Sequence, residues 1–442
     1  MRQQRQRLRI VAVVVGLSLV AAACSGDDDD NAGQREPKED PAIAALKKTG
    51  DADPDCENDN ADGTFQIGGL LAQTGDLAQV LGAPQEAGAE LAIADVNKAG
   101  GVNGKPVVYT QHDTGDGSPD LATEAVEDQL GAGVDAVLGP SGSQIAQDQI
   151  EKVTDECTIM FSSSNTGPLF TTYEDHDLYF RTAAPDILQG HALGSLAFQE
   201  GSQDAVILAR KEAYGEGLDA YIKSGFEDAG GRVTDEVFYN PDATEFDAQV
   251  DKVVAADPAA LFMVGLAETG PILTRLIEKG FTPATKKIYF VNGNMTAETA
   301  DAFTQPGALR GIKGTSPGAA VSKPLRDRML KQNPKLLSFI YGPETYDAVV
   351  VLALAAEVAK TDESAAVARK VNGVTRDGQK CTDYAGCKKL IEQGEDIDYD
   401  GQSGPLEFGL PGEPAAANYG VYGWTQDNRI DVEHVTYLPI SM

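Results

Sequence analysis

"DAVLGPSGSQIAQDQIEKVTDECTIMFSSSNTGP", residues 135–168, holds an apolar strand, a turn of glycine, proline and serine, a helical stretch, a second apolar strand and a second polar turn. Strand, helix and strand in that succession make a parallel pair joined by a crossover helix. The alternation continues in both directions. Upstream lie "TFQIGGLLA", "PQEAGAELAIADVNKAGG", "KPVVYTQHD" and "DLATEAVEDQLGAG". After "YFRTAAPD" the cycle restarts with "HALGSLAFQE", "DAVILAR", "GEGLDAYIKSGFEDAGG" and "RVTDEVFY". It runs on through "FDAQVDKVVAAD", "ALFMVG", "TGPILTRLIEKG" and "KIYFVNG", and "PETYDAVVVLALAAEVAK" predicts a long amphipathic helix later. The expected fold is α/β: two doubly wound parallel-sheet lobes joined by a hinge. A cleft between such lobes is a natural home for a small ligand.

Three turns after strands are candidate ligand contacts. "GPSGSQ" (139–144) follows "DAVL" and contains Ser143, and "SSSNTGP" (162–168) follows "TIMF" and contains Ser164 and Thr166. Helix-start amides and small hydroxyls suit a carboxylate without a full positive charge, although the same residues also serve as ordinary helix caps. "GLAETG" (265–270) puts Glu268 at the carboxyl end of a strand. A carboxylate there suits an ammonium group, or else partners a helix dipole.

The N-terminus sets the compartment. "MRQQRQRLRI" carries four arginines, and an apolar run then ends in Ala21-Ala22-Ala23 before Cys24. A basic start, a short apolar run and small residues make an export signal. Without residues 1–23 and their four arginines, the net charge of −32 becomes −36. Such an acidic chain excludes nucleic acid and anionic membrane surfaces as partners. At ~150 residues per domain it has room for two or three domains. The polar, acidic residues 24–63 read as a disordered tether that cannot fold alone.

Four further cysteines, Cys56, Cys157, Cys381 and Cys387, suggest disulfides in an exported chain. Cys381 and Cys387 are near enough to close a small loop, which leaves Cys56 for Cys157, one of three possible pairings. No histidine lies near either pair, which argues against zinc. The chain has no H-E-x-x-H and no G-x-S-x-G. "GEGLDA" (215–220) fits a dinucleotide pattern but starts several residues after its strand, and reads better as a glycine-permitted helix start. No cofactor or metal is expected.

In order and spacing, "TGDLAQVLG", "GAELAIADVNKAGGVNGKPV", "VLGPSGS", "SSSNTGPLF", "YFRTAAPD", "YGEGL" and "AETGPILTRLIEKG" resemble the exported binding proteins of ABC importers for branched-chain amino acids. The resemblance spans roughly residues 65–424 and implies the type I periplasmic-binding fold. It implies that Ser143 and Thr166 receive a ligand carboxylate and that Ser164 offers a backbone carbonyl to the ammonium. Tyr214 would close over the ligand, Glu268 would complete the ammonium site, and Tyr341 would be a pocket wall. At "AQVLG" the family often has an aromatic residue, where this chain has Val80 and Leu81. Cys24 after three alanines resembles a lipoprotein site, with Ala21 where leucine is usual.

"DIDYDGQSGPLE" (396–407) fits the calcium-loop pattern at every fixed position. An EF-hand needs a helix after its loop, and Pro405 with "LEFGLPG" opposes one. Tyr399, Gly401, Gly404 and Pro405 instead resemble a turn of the same family. The expected organisation is a signal peptide (1–23), a tether (24–63), lobe 1 (64–183 with 316–404) and lobe 2 (184–315 with 405–442). The expected function is that of a non-catalytic, monomeric lipoprotein on the outer face of the cytoplasmic membrane. It would deliver an amino acid to an ABC permease. The alternatives are a receptor for a short amide, urea or an aromatic acid, or a ligand-sensing module.

Overall fold

The structure, a computed structural model, describes residues 39–442 apart from 59, 76, 116–118 and 319–320. The export signal and Cys24 lie outside the described residues. Five strands form a first sheet: β1 (Gln66–Leu71), β2 (Val108–Asp113), β3 (Ala136–Leu138), β4 (Ile159–Ser162) and β5 (Tyr179–Arg181), in the order β2-β1-β3-β4-β5, all parallel. A second, seven-stranded sheet begins with β6 (Asp204–Arg210), β7 (Arg232–Tyr239), β8 (Ala260–Val264), β9 (Lys287–Phe290) and β10 (Lys313–Pro317). A small parallel pair, β11 (Gln379–Cys381) and β12 (Ile397–Tyr399), intervenes in sequence. Then β13 (Ala416–Trp424) and β14 (Ile430–Ser441) add antiparallel to the second sheet, in the order β14-β13-β10-β9-β8-β6-β7.

The central strands β3, β4 and β8 are buried along their whole length, as continuous apolar runs must be when helices cover both faces. Strand order reverses beside β1 and β3 in the first sheet and beside β6 and β8 in the second. Ligand crevices open at the carboxyl ends of strands at such points.

The helix Gly342–Ala359 is buried from Gly342 to Glu357. It is not the expected amphipathic helix, because the first core surrounds it. Its Asp347 accepts hydrogen bonds from Tyr399 (2.7 Å), the amides of Gln402 and Ser403, and the Ser403 hydroxyl, which pins the turn after β12. Leu406 and Phe408 also pack in the first core, so the chain leaves lobe 1 after them rather than at 404/405.

One further expectation needs correction. Residues 40–58 and 60–63 are ordered. They hold a helix at Pro41–Leu46, and Leu46 and Ala52 are buried against the body, so the segment folds on a surface that its own composition does not supply. Both disulfides form, Cys56–Cys157 and Cys381–Cys387. The calcium-like loop also differs from a helix–loop–helix. It enters through β12, and Asp400 pairs in a bridge with Pro405. Lys380 Nζ stands 2.8 Å from Asp398, 3.0 Å from Asp400 and 3.0 Å from Glu407, so an ammonium fills the cup of carboxylates. Asp396 turns away and accepts from the Ile397 amide.

Candidate functional site

The turn after β3 needs glycine twice. Gly139 has φ +120°, and a Cβ there would lie 2.1 Å from the Leu70 carbonyl oxygen; Gly142 has φ +92°. The turn therefore starts the helix Ser143–Thr154 with Ser143 at its first position. Ser143 Oγ accepts the Gly167 amide at 3.1 Å, which ties this turn to the next.

In the turn after β4, consecutive polar residues have separate tasks. Ser162 Oγ accepts from the amides of Ser164 (3.2 Å) and Asn165 (2.9 Å). Ser163 Oγ accepts from Gln85 and Thr345. From below, buried Arg181 donates to the carbonyls of Asn165 (3.0 Å) and Gly167 (2.8 Å) and to Thr171 Oγ1 (3.1 Å), with Glu413 as its buried counter-ion. With the backbone so held, Ser164 and Thr166 face the cleft, and Ser164 Oγ is buried without a hydrogen-bond partner among the described residues.

Lobe 2 supplies a charged wall. Arg210 ends β6, and its Nη1 donates to Glu268 Oε1 at 3.1 Å while its Nε lies 2.9 Å from Glu212. The same Oε1 accepts from Tyr239 Oη (2.9 Å) and the Leu266 amide (3.1 Å). Three donors thus saturate one oxygen of Glu268, and among the described residues no donor reaches Oε2. Two carboxylates against one guanidinium leave this group one net negative charge. Glu212 also caps the helix Ala213–Asp228 by accepting the Tyr214 and Gly215 amides. Tyr214 Oη donates to Asn292 Oδ1 (3.0 Å), and Asn292 Nδ2 donates to Tyr341 Oη (2.6 Å). That chain of bonds crosses between lobes. Burial raises both tyrosine hydroxyls well above their usual range. Burial also pushes the Asp186 carboxyl, beside this group, up to about 8.

All six residues singled out in the sequence, Ser143, Ser164, Thr166, Tyr214, Glu268 and Tyr341, line one cleft of about 720 Å³. The lobes meet across it. Leu266 of lobe 2 packs with Leu77, Leu81 and Ile145 of lobe 1, and the Ala213 amide donates to Gln144 Oε1 at 3.3 Å. A Cβ on Gly217 would lie 2.5 Å from the Pro168 ring, so glycine permits this approach. Arg210, Glu212, Tyr239, Asn292 and Arg181 escaped sequence reasoning. Arg210 left one trace, a lone cation ending the apolar run "DAVILAR".

Comparison with known proteins covers the same body. The profile of the family described as "Periplasmic binding protein" matches residues 64–425. The leucine-, isoleucine-, valine-, threonine-, and alanine-binding protein of Pseudomonas aeruginosa is 27% identical over 370 residues, 82% of this chain and 88% of that one. Among solved structures, a leucine binding protein from Thermotoga maritima superposes with a TM-score of 0.70 at 20% identity, covering 86% of this chain and 99% of that one. A solute binding protein from R. palustris in complex with benzoate has a TM-score of 0.67 at 15% identity, covering 86% and 98%.

Proposed function

This chain belongs to the periplasmic binding protein family, and from that premise we propose that it captures an α-amino acid between its lobes and passes it to an ABC importer. The observation that carries the ligand class is Glu268. Its Oε1 is fixed by Arg210, Tyr239 and the Leu266 amide, and its Oε2 is left for a donor from the cleft. A ligand ammonium is the donor that matches the group's one net negative charge. On the other lobe, Ser143 and Thr166 offer neutral donors to a carboxylate, and Ser164 lines the cleft beside them. The nearby Leu77, Leu81, Ile145, Leu266 and Ile340 give an apolar side chain its walls.

The roles of these six residues follow from that pose. Ser143 and Thr166 hold the carboxylate, Ser164 helps hold the ammonium, Tyr214 and Tyr341 close over the ligand, and Glu268 supplies the countercharge. The protein binds and does not transform its ligand. Two lobes that close on a solute present it to a permease in one arrangement. We also propose that Cys24 is lipidated and holds the protein outside the membrane. In cell fractionation, Cys24→Ser should release it to the soluble fraction; retention as firm as the parent's would reject lipid at Cys24.

Calorimetric titration with the twenty amino acids, short amides, urea and benzoate tests the ligand class. Glu268→Gln keeps shape but removes the countercharge, and should weaken amino-acid binding roughly tenfold to a hundredfold, as loss of a hydrogen bond to a charged group would. Equal affinity for acids or amides without an amine, or normal binding by Glu268→Gln, would reject the reading in favour of an aromatic acid or an amide.

A further inference from the structure

Residues 40–63 precede the stretch that the family profile matches, yet they are fastened to both lobes. The helix Pro41–Leu46 touches lobe 2 on one side. Its Ala42 and Leu46 pack with Ile187, beside Tyr221 and Met442, and Tyr221 Oη donates to the Asp40 carboxylate at 3.1 Å. It also lies against the short helix Pro168–Thr172 of lobe 1. From residue 48 the chain belongs to lobe 1. Lys48 O accepts the amide of Leu410, which Asn372 Nδ2 of lobe 1 holds by its carbonyl at 3.5 Å; Gly50 O accepts Asn372 Nδ2 at 3.0 Å, and Asp51 accepts Arg376 Nη2 at 2.7 Å. Arg369 Nη2 donates to Pro54 O at 2.7 Å, Asp55 pairs with His176, and Cys56 is bonded to Cys157.

Between the lobe 2 foot at Leu46 and the lobe 1 foot at Lys48 lies a single residue. Two residue steps span at most ~7 Å. The lobes cannot part at this point by more than a few ångströms unless the first helix leaves its seat. That seat holds a leucine with only 1% of its surface exposed, while the other foot is held by a covalent bond and several hydrogen bonds.

We propose that residues 40–56 form a bracket across the two lobes that limits how far the cleft opens. The bracket acts on the ligand-free protein, so its test needs no knowledge of the solute. Two variants of the full chain probe it. One inserts Gly-Ser-Gly-Ser after Lys47, which keeps every packed residue and adds slack. The other is Leu46→Ala, which unseats the first helix. Small-angle scattering should show the ligand-free insertion variant with a radius of gyration larger by about 1 Å on the ~21 Å expected for a body of this size. Leu46→Ala should match it; should Leu46→Ala fail to fold, the insertion decides alone. In the ligand-free parent the amides of residues 44–47 should be protected from hydrogen exchange. An unchanged radius in the insertion variant, or unprotected amides in the parent, would overturn the bracket.

Discussion

Arg210 is the residue whose partners give it meaning. Alone it reads as a cation in the cleft; between Glu212 and Glu268 it fixes one carboxylate and balances one charge. Arg210→Met would leave two uncompensated carboxylates facing the ligand. The ratio of lysine to leucine affinity should then rise roughly tenfold, about 1.4 kcal/mol, because a second ammonium gains a countercharge. Titration of parent and variant with both amino acids checks this, and an unchanged ratio would count against a charge-setting role. Asp186 gives a second test. A free carboxyl titrates near ~3.9, while burial pushes this one up to about 8. Between those values the unfolded chain gives up a proton that the folded chain keeps, so stability falls as pH rises through the window. Asp186→Asn removes the contribution. Urea denaturation at pH 5 and pH 8 should show the parent losing on the order of a few kcal/mol more than the variant across that interval. Of the six residues singled out in the sequence, five were legible after strand ends, while Tyr341 stands at the start of the helix Gly342–Ala359. Arg210 and Asn292 were not legible, because their partners stand 58 and 49 residues away in the chain.

At the scale of elements, the turn after β4 shows how a short polar run becomes a binding surface. Its outer hydroxyls are offered because Arg181 holds the backbone beneath, and Arg181 is tolerable in the core because Glu413 is beside it. Glu413→Ala would strand a buried guanidinium and should cost about 3–5 kcal/mol in chemical denaturation. Ligand affinity should fall with it, as Ser164 and Thr166 lose their platform. The loop 396–407 gives the opposite lesson, that a pattern matched at each fixed position can be met by another cation. Lys380 comes from β11, outside the pattern, so the pattern alone cannot report it. Calcium should leave the parent's melting temperature unchanged, whereas Lys380→Met should melt lower and recover partly in millimolar calcium. A parent stabilised by calcium would show that the lysine does not hold the site. Strands and helices were readable from periodicity. Residues 40–58 were not, since their composition is that of a disordered segment and their order comes from Leu46, Ala52 and a disulfide partner 101 residues away.

For the whole molecule, the two sheets have separate cores, and the cleft is where they meet. A ligand touching both lobes binds the folded chain alone, so it should raise the unfolding free energy by about 2.7 kcal/mol at a hundred times its dissociation constant. Calorimetric melting against ligand concentration checks this, and a shift that saturates well below that value would mean that the ligand engages the unfolded chain or a single lobe.

The bridge through Asn292 has a polarity. Tyr214 spends its proton on the Asn292 oxygen, and Asn292 spends an amide proton on the oxygen of Tyr341. Tyr214 is therefore left able only to accept, while Tyr341 keeps its own proton to give. A solute entering the cleft meets an acceptor on one side of that amide and a donor on the other. A zwitterion fits such a pair in one orientation, and its mirror placement sets acceptor against acceptor. The direction of the solute can thus be set by one asparagine that need not touch it, and exchanging Asn292 for aspartate would erase that direction while keeping the shape.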